Sequence, residues 1–472
     1  MLTQRWQDLV GCIRSWQYLA EGNAHAIFEH TDKDGKHIKA SPVVLRIAKY
    51  LKKDHVNALR QNFVLNVLEP YIGKQYLNEH LGHVRLTRDF IFHLQQRCVA
   101  TKKVPALRMF QWTKDPFKDQ WSLDASVHAN VAYEYRGIVL EITPKCGFLC
   151  TSPLVRPEHR IKFRRHRYGL CQELLSRGSL KKGWMPSNCS DTFKTSSYSP
   201  LAFFSGEASK VESAILSLFE QPQNNLRIWH NGRIIYGHDK MNLTVQEVEA
   251  IQQAISSNVD ATLMFQSLAS VVGTILTREP LLRNILNLQK ADLIDADGIV
   301  KVYDRLVKIC GTQEDAEKCI KYPPCPRLNV ATTDVCSFNP FPRPDCVHLN
   351  ELMFEIQKNS DMMPGQMESS ESVFDEKYEA CLKIVQKLSK ESCVWILQGW
   401  LLSLSMCDVS IMIGISPGSM DEDDRKQDIE TCGAINLEDG VCNYTLKLID
   451  YDPKPSSKLR NREKQENIFR NL

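Results

Sequence analysis

Three aspartates in the last quarter of the chain have the types and spacing that phosphoryl transfer needs. Asp408 opens an apolar run, Val409 to Ile415, and Asp450 and Asp452 close another, Asn443 to Asp452. If the two runs are strands paired antiparallel, these carboxylates, distant in sequence, meet at one end of a ribbon. Convergent hard oxygens suit Mg²⁺. One carboxylate can take the proton of an attacking hydroxyl while another holds the metal that bridges nucleotide phosphates. Lys454, two residues beyond Asp452, adds a cation beside the transferred charge. On spacing alone the same residues also suit strand-end charges facing water.

Other segments offer related chemistry. Glu141-Ile-Thr-Pro-Lys145-Cys-Gly-Phe ends an apolar strand at a Pro/Gly turn and presents a carboxylate and an ammonium there, a common setting for functional side chains. The Gly22-Asn23 turn suits backbone N–H groups approaching phosphates, or an ordinary hairpin. Asn224-Asn225-Leu226-Arg227 places two amides and a guanidinium at a strand entrance, where they suit a phosphorylated, polyhydroxylated ring or a simple turn. Between Arg156 and Arg167 lie Arg156, Arg160, Lys162, Arg164, Arg165 and Arg167 against Glu158 alone, a run that suits a polyanion, RNA included, or a solvated face. Cys319, Cys325, Cys336, Cys346 and His348 lack the paired spacing of a zinc site and read as reduced thiols, with a structural zinc as the alternative.

The elements that must position these residues form an α+β plan. Short apolar runs flank Gly22-Asn23, a third strand runs from Val43 to Lys49, and Ile138 to Ile142 is a buried strand. Glu79 to Gln96 reads as mixed helix and loop. Helical spacing then dominates, as in Glu212 to Phe219, Val245 to Ile255 and Tyr378 to Leu388. This predicts an antiparallel-sheet N-lobe over residues 1–140 and a larger, mainly helical C-lobe over 141–472, with loose loops at 355–375 and 419–431. With 472 residues there is chain enough for two lobes, and 59 Lys+Arg against 56 Asp+Glu argues against a dedicated nucleic-acid binder. No leader-like basic and apolar start and no membrane-length apolar run is visible, and sixteen cysteines spread over so long a chain read as thiols. The expected setting is the cytoplasm, the nucleus or both, and the expected state a monomer.

Taken in order, these segments resemble the inositol-pentakisphosphate 2-kinase family. The resemblance runs from about Tyr18 to Pro455, through Glu21-Gly22-Asn23-Ala24, Val44-Leu45-Arg46, the Glu141 to Phe148 segment, Gln223 to Ile228, Asp408-Val-Ser410-Ile411 and Asp450-Tyr-Asp452-Pro-Lys454-Pro455. It implies a distantly kinase-like fold and transfer of the ATP γ-phosphate to the 2-hydroxyl of inositol 1,3,4,5,6-pentakisphosphate, giving the hexakisphosphate. On that plan Gly22, Asn23, Ala24, Arg46 and Glu141 serve the nucleotide. Asp408 acts as base with Lys145 beside it, and Asp450 and Asp408 hold Mg²⁺. Asn224, Asn225, Arg227, Lys454 and Lys458 take the substrate phosphates. A non-catalytic inositol-polyphosphate scaffold is the alternative, because Thr143, Leu175, Cys171 and Cys407 stand where the family carries cations or a His. Each lost charge-assisted contact weakens binding by about 1.5–3 kcal/mol. Nearby Arg164, Arg165, Lys181, Lys182 or Lys458 are the candidates to compensate.

Overall fold

The structure is a computed structural model that describes residues 15–21, 25–30, 43–48, 62–78, 80–100, 122–135, 137–178, 194–255, 260–321, 339–361, 371–418, 433–437, 440–460, 462 and 466–471. Its strands form two antiparallel sheets. The first runs in the order β1 (Trp16–Glu21), β2 (His25–His30), β3 (Val43–Ala48), β5 (Ser122–Ala129), β4 (His80–Thr87). Inward-facing Phe28, Leu45, Ile47, Val84 and Leu86 alternate with more exposed neighbours and pack against Ile91 and Leu94 of helix α1 (Arg88–Ala100). That is the period of a sheet covered on one face.

The second sheet has the order β10 (Gly433–Leu437), β11 (Gly440–Ile449), β9 (Ser410–Pro417), β6 (Ile138–Ile142), β7 (Leu226–His230), β8 (Arg233–Gly237). The central strand β6 is buried at every residue, which is why it reads as a continuous apolar run and not an alternating one. Helices cover this sheet and build the larger core: α2 (Arg167–Ser176), α3 (Ala208–Glu220), α4 (Val245–Ile255), α5 (Met264–Arg278), α6 (Leu281–Gln289), α7 (Asp295–Cys310), α8 (Gln313–Cys319), α9 (Val347–Ser360), α10 (Glu371–Val385) and α11 (Lys390–Met406). Helix α11 starts where the Ser389 side chain accepts from Ser392 N, and it is buried almost all round, with Trp395, Leu397, Trp400 and Leu401 in the core. No helix among the described residues is long and apolar enough to cross a membrane.

The architecture is α+β, with one sheet-based part and one larger, helix-rich part, and it departs from the sequence expectation in several places. His80–Thr87, expected as helix and loop, is an edge strand, and Ser122–Ala129 is a strand whose polar residues hid it. The closing ribbon is no separate hairpin, since β9 pairs with β6 and joins it to the sheet that carries Glu141. Residues 63–77 fall inside the range expected for the first lobe, yet Phe63, Val67, Leu68, Ile72 and Tyr76 pack in the larger core. Of the loops expected at 355–375 and 419–431, the first is helical at both ends, through Ser360 and from Glu371; the second lies outside the described residues.

Candidate active site

Register brings the candidate residues together. Ile142 pairs with Ile411 on one side and Leu226 on the other, and Ser410 pairs with Ile449. The end of β6, the starts of β7 and β9 and the end of β11 therefore lie side by side. Residues just beyond them, Thr143 to Lys145, Asn224 and Asn225, Asp408, and Asp450 to Asp452, gather at one edge of the sheet.

Backbone strain marks the same edge. Lys145 (φ 64°), Gln223 (φ 47°) and Asp450 (φ 59°) all adopt the left-handed conformation without being glycine. Each such residue costs about 1 kcal/mol or more and persists only where its surroundings over-determine it. Around Lys145 the fixing group is Gln289. Its buried amide donates to Lys145 O at 2.8 Å and Met406 O at 3.1 Å, and accepts from Gly147 N at 2.8 Å. Gly147 itself is obligatory, because a Cβ there would lie 2.1 Å from the Phe204 ring. One amide thus ties the turn bearing Lys145 to the end of the helix that delivers Asp408.

The charges interlock. Asp408 Oδ2 meets Lys454 Nζ at 2.5 Å, and Lys454 N donates to Ser405 Oγ at 3.0 Å, so α11 and the segment after β11 are stitched together here. Burial would raise the Asp408 carboxyl, but Lys454, Lys145 and Lys458 outweigh it and hold it below the usual carboxylate range. Asp408 is therefore ionised at neutral pH. Lys145 is pushed down by burial, with Lys454 adding to the effect and Asp408 opposing it. Lys458, Arg462, Trp400 and Leu404 line a small cleft with Asp408 and Lys454. The Arg462 guanidinium stacks on Trp400, 5.3 Å from the ring centre, and pairs with Glu466 at 3.1 Å.

Two expected ligand contacts are made within the protein. Glu141 accepts from Arg227 Nη1 at 3.0 Å and from Trp229 Nε1 at 3.1 Å, so the residue expected at the nucleotide and one expected at the substrate pair with each other. Arg46 reaches across from β3 to Asp450 at 3.3 Å and to Asp452 at 3.2 Å. Its positive charge is favoured because the two carboxylates outweigh the burial that works against it. Asp450 is half exposed by area (54%), yet desolvation in the cleft, with Glu141 and Asp452 adding, holds its carboxyl above the usual range against the pull of Arg46 and Lys454. Two carboxylates turned on one cation make a donor set that fits Mg²⁺. Asp408 is engaged by a different cation, so Asp452, not Asp408, shares a counter-charge with Asp450.

The remaining candidates separate. Asn224 is exposed, whereas Asn225 is buried and donates to Tyr168 Oη at 3.0 Å while its carbonyl accepts from Thr143 N at 2.9 Å. Thr143, where a cation was missed, bonds Ser410 hydroxyl to hydroxyl at 2.7 Å. Gly22, Asn23 and Ala24 lie outside the described residues, as do Lys181, Lys182, Cys325 and Cys336.

Most cations of the basic run are engaged by acids of the protein. Arg156 and His159 bind Asp297 at 3.0 and 2.9 Å. Lys162 binds Asp295 at 2.7 Å and Glu466 at 2.6 Å, Arg160 binds Asp375 at 2.6 Å, Arg167 binds Glu466 and Arg165 binds Glu173. Asp295, Asp297 and Glu466 are the acids among the described residues whose ligand atoms crowd within 4.8 Å, but these cations neutralise them, which leaves them an ion-pair core and no metal site. Of the zinc candidates, Cys319 lies 3.9 Å from Cys310 and His348 pairs with Glu351 at 3.1 Å.

Sequence reasoning missed Gln289, Trp229 and Arg462. Arg462 left a signal, since Lys454, Lys458 and Arg462 recur every four residues. A single amide in an amphipathic helix left none.

A deprotonated carboxylate ringed by ammonium groups, with a second carboxylate pair beside it at the ends of sheet strands, is the equipment of a protein that handles phosphate groups. The profile of the inositol-pentakisphosphate 2-kinase family matches residues 18–467. The chain belongs to that family, and is by that membership a kinase. Among its relatives are inositol-pentakisphosphate 2-kinase IPK1 of Oryza sativa subsp. indica, 26% identical over 66% of this chain and 74% of the relative, and the inositol-pentakisphosphate 2-kinase of Arabidopsis thaliana, 27% identical over 53% and 54%. The enzyme of that name from Danio rerio is 26% identical over 47% of this chain and 44% of its own.

Proposed function

We propose that the protein transfers the γ-phosphate of ATP to the 2-hydroxyl of inositol 1,3,4,5,6-pentakisphosphate, giving inositol hexakisphosphate. The observation that carries this reading is the ionised Asp408 carboxylate held by Lys454 with Lys145 and Lys458 around it. An ionised carboxylate accepts the hydroxyl proton as the oxygen attacks, and the ammonium groups meet the charge of the transferred phosphoryl. Most of the rate in such a transfer comes from positioning and charge neutralisation, which rigid strand ends supply. Asp450 and Asp452 would hold Mg²⁺, which when bound offsets the phosphate charge of the nucleotide. Arg46 would then turn from the carboxylates to the nucleotide, and Arg227, Asn224 and Lys458 would face the substrate phosphates. The working form would be a monomer in the cytoplasm or nucleus.

A second reading, an inositol-polyphosphate scaffold without turnover, draws on one observation: Arg46 already neutralises the carboxylates that a metal would need. Incubation with ATP, Mg²⁺ and the pentakisphosphate, with mass analysis of the product, separates the two. Hexakisphosphate formation that Asp408→Asn abolishes supports the kinase. Calorimetric binding of the hexakisphosphate with no product, unchanged in Asp408→Asn, establishes the scaffold.

A further inference from the structure

Away from the site, the last residue of α7 and the last residue of α8 bring two thiols together. Cys310 Sγ and Cys319 Sγ lie 3.9 Å apart, and both residues are partly exposed. The turn between the helices passes through Gly311, in the left-handed region at φ 86° with open space where a Cβ would stand. The Lys390 ammonium faces the pair, and the Cys319 and Cys310 sulfurs favour its charged form. Lys390 thus places a cation beside the sulfurs, while burial and the neighbouring Cys319 hold the Cys310 thiol above its ordinary range against it.

We propose that Cys310 and Cys319 form a redox-active dithiol that a hydroperoxide converts to a disulfide, and that this modification loosens the basic segment at the active site. The Cys319 thiolate attacks the peroxide oxygen, forming a sulfenic acid and releasing water once the leaving oxygen takes a proton. The Cys310 sulfur then displaces the sulfenic hydroxyl as a second water, so two thiols and one hydroperoxide give one disulfide and two molecules of water, or one water and one alcohol from an organic peroxide. Closing the gap from 3.9 Å to bonding distance draws the two sulfurs together by roughly 2 Å, and part of that approach falls to the helix ends that carry them.

That movement has a route to the site. Glu317, two residues before Cys319, binds Arg460 through two contacts of 2.5 and 2.8 Å and also accepts from Tyr303 Oη of α7 at 3.0 Å. Arg460 follows Lys458 by two residues, and Lys458 shares the cleft with Asp408. Pulling the end of α8 toward α7 displaces Glu317 from Arg460. The expected consequence is a loss of affinity for a phosphorylated inositol of about two- to fivefold, the size of one exposed ion pair. This functional half rests on the inositol-polyphosphate reading; the disulfide itself does not.

The test treats the full chain with hydrogen peroxide and maps disulfides by non-reducing tryptic digestion. Cleavage after Lys308 and after Lys318 puts the two cysteines on different peptides, so a linked pair is diagnostic. Linked peptide in most molecules, reversed by dithiothreitol, supports the proposal; a sulfinic or untouched Cys319 without linkage overturns it. Calorimetry with inositol hexakisphosphate then compares reduced and oxidised protein. Weaker binding after oxidation in the wild type, absent in Cys310→Ser and in Glu317→Gln, supports the coupling, and equal affinities in both states overturn it. Should the reduced protein fail to bind the hexakisphosphate at all, the proposed function falls, while the peptide map still decides the dithiol.

Discussion

Asp408 and Lys454 form the ion pair on which the proposed chemistry turns, and removing the charge of one partner tests it directly. Asp408→Asn keeps the shape of the side chain, removes the proton acceptor and leaves Lys454 without its counter-charge. Turnover should fall by about 10²–10⁴-fold, the usual worth of a general base, while affinity for the hexakisphosphate stays within a fewfold. Loss of both together would show that Asp408 organises the site and does not act in the chemical step. Arg46 sets a second residue-scale expectation. Its charge lowers the Asp450 carboxyl, which desolvation, Glu141 and Asp452 hold above the usual range. Arg46→Met removes the lowering influence, so the Asp450 pKa rises further and the acidic limb of the kcat/KM profile should move to higher pH. An acidic limb that stays in place would separate Asp450 from the ionisation that limits activity.

At the scale of elements, the site depends on a helix end, a turn and four strand ends keeping register, and Gln289 joins the first two. Gln289→Leu leaves Lys145 O, Met406 O and Gly147 N without the partner they share. Each unsatisfied buried polar group costs about 1–3 kcal/mol. Chemical denaturation should therefore show a loss of several kcal/mol, and turnover should fall more than substrate affinity because the Lys145 turn and Asp408 lose their common anchor. A variant as stable and active as the wild type would remove Gln289 from that role. The strands carrying the site were legible because β6, β9 and β11 are dense apolar runs, and the antiparallel pairing read from Asp408 and Asp450 matches the register of Ser410 with Ile449. Strand β5 was not legible, since Ser122, Asp124, Ser126 and His128 dilute its pattern. The partners of the basic run were hidden for another reason. Arg156 meets Asp297 and Arg167 meets Glu466 across long stretches of chain, and a single sequence carries no signal for pairings made only by tertiary packing.

Across the whole molecule, that basic run ties the end of the chain to its middle. Glu466 is fully buried among Lys162, Arg167 and Arg462, and the segment it anchors carries Lys454, Lys458 and Arg462 into the cleft with Asp408. Burial would raise the Glu466 carboxyl, but Arg167, Arg462 and Lys162 outweigh it and hold it far below the usual range. Asp297 is likewise lowered against desolvation by its bond with His159 and by Lys162. A carboxylate whose folded pKa is depressed contributes stability that is fully present above its unfolded value, about 4 for these residues, and is lost as pH falls through that value toward the folded one. The stability that Glu466 and Asp297 contribute, read by urea unfolding, should therefore be constant near neutrality and fall below about pH 4.5. Glu466→Gln removes the counter-charge shared by buried Lys162 and Arg462 and by half-buried Arg167, so it should lose about 3–5 kcal/mol at pH 7 and show a shallower acid decline, because one proton-linked group has gone. An acid decline as steep as in the wild type would place the acid sensitivity elsewhere. Because the same carboxylate holds the segment that brings Lys458 and Arg462 to the cleft, hexakisphosphate affinity in the variant should fall at neutral pH while the protein is still folded, which links the stability of the buried network to the grip of the site.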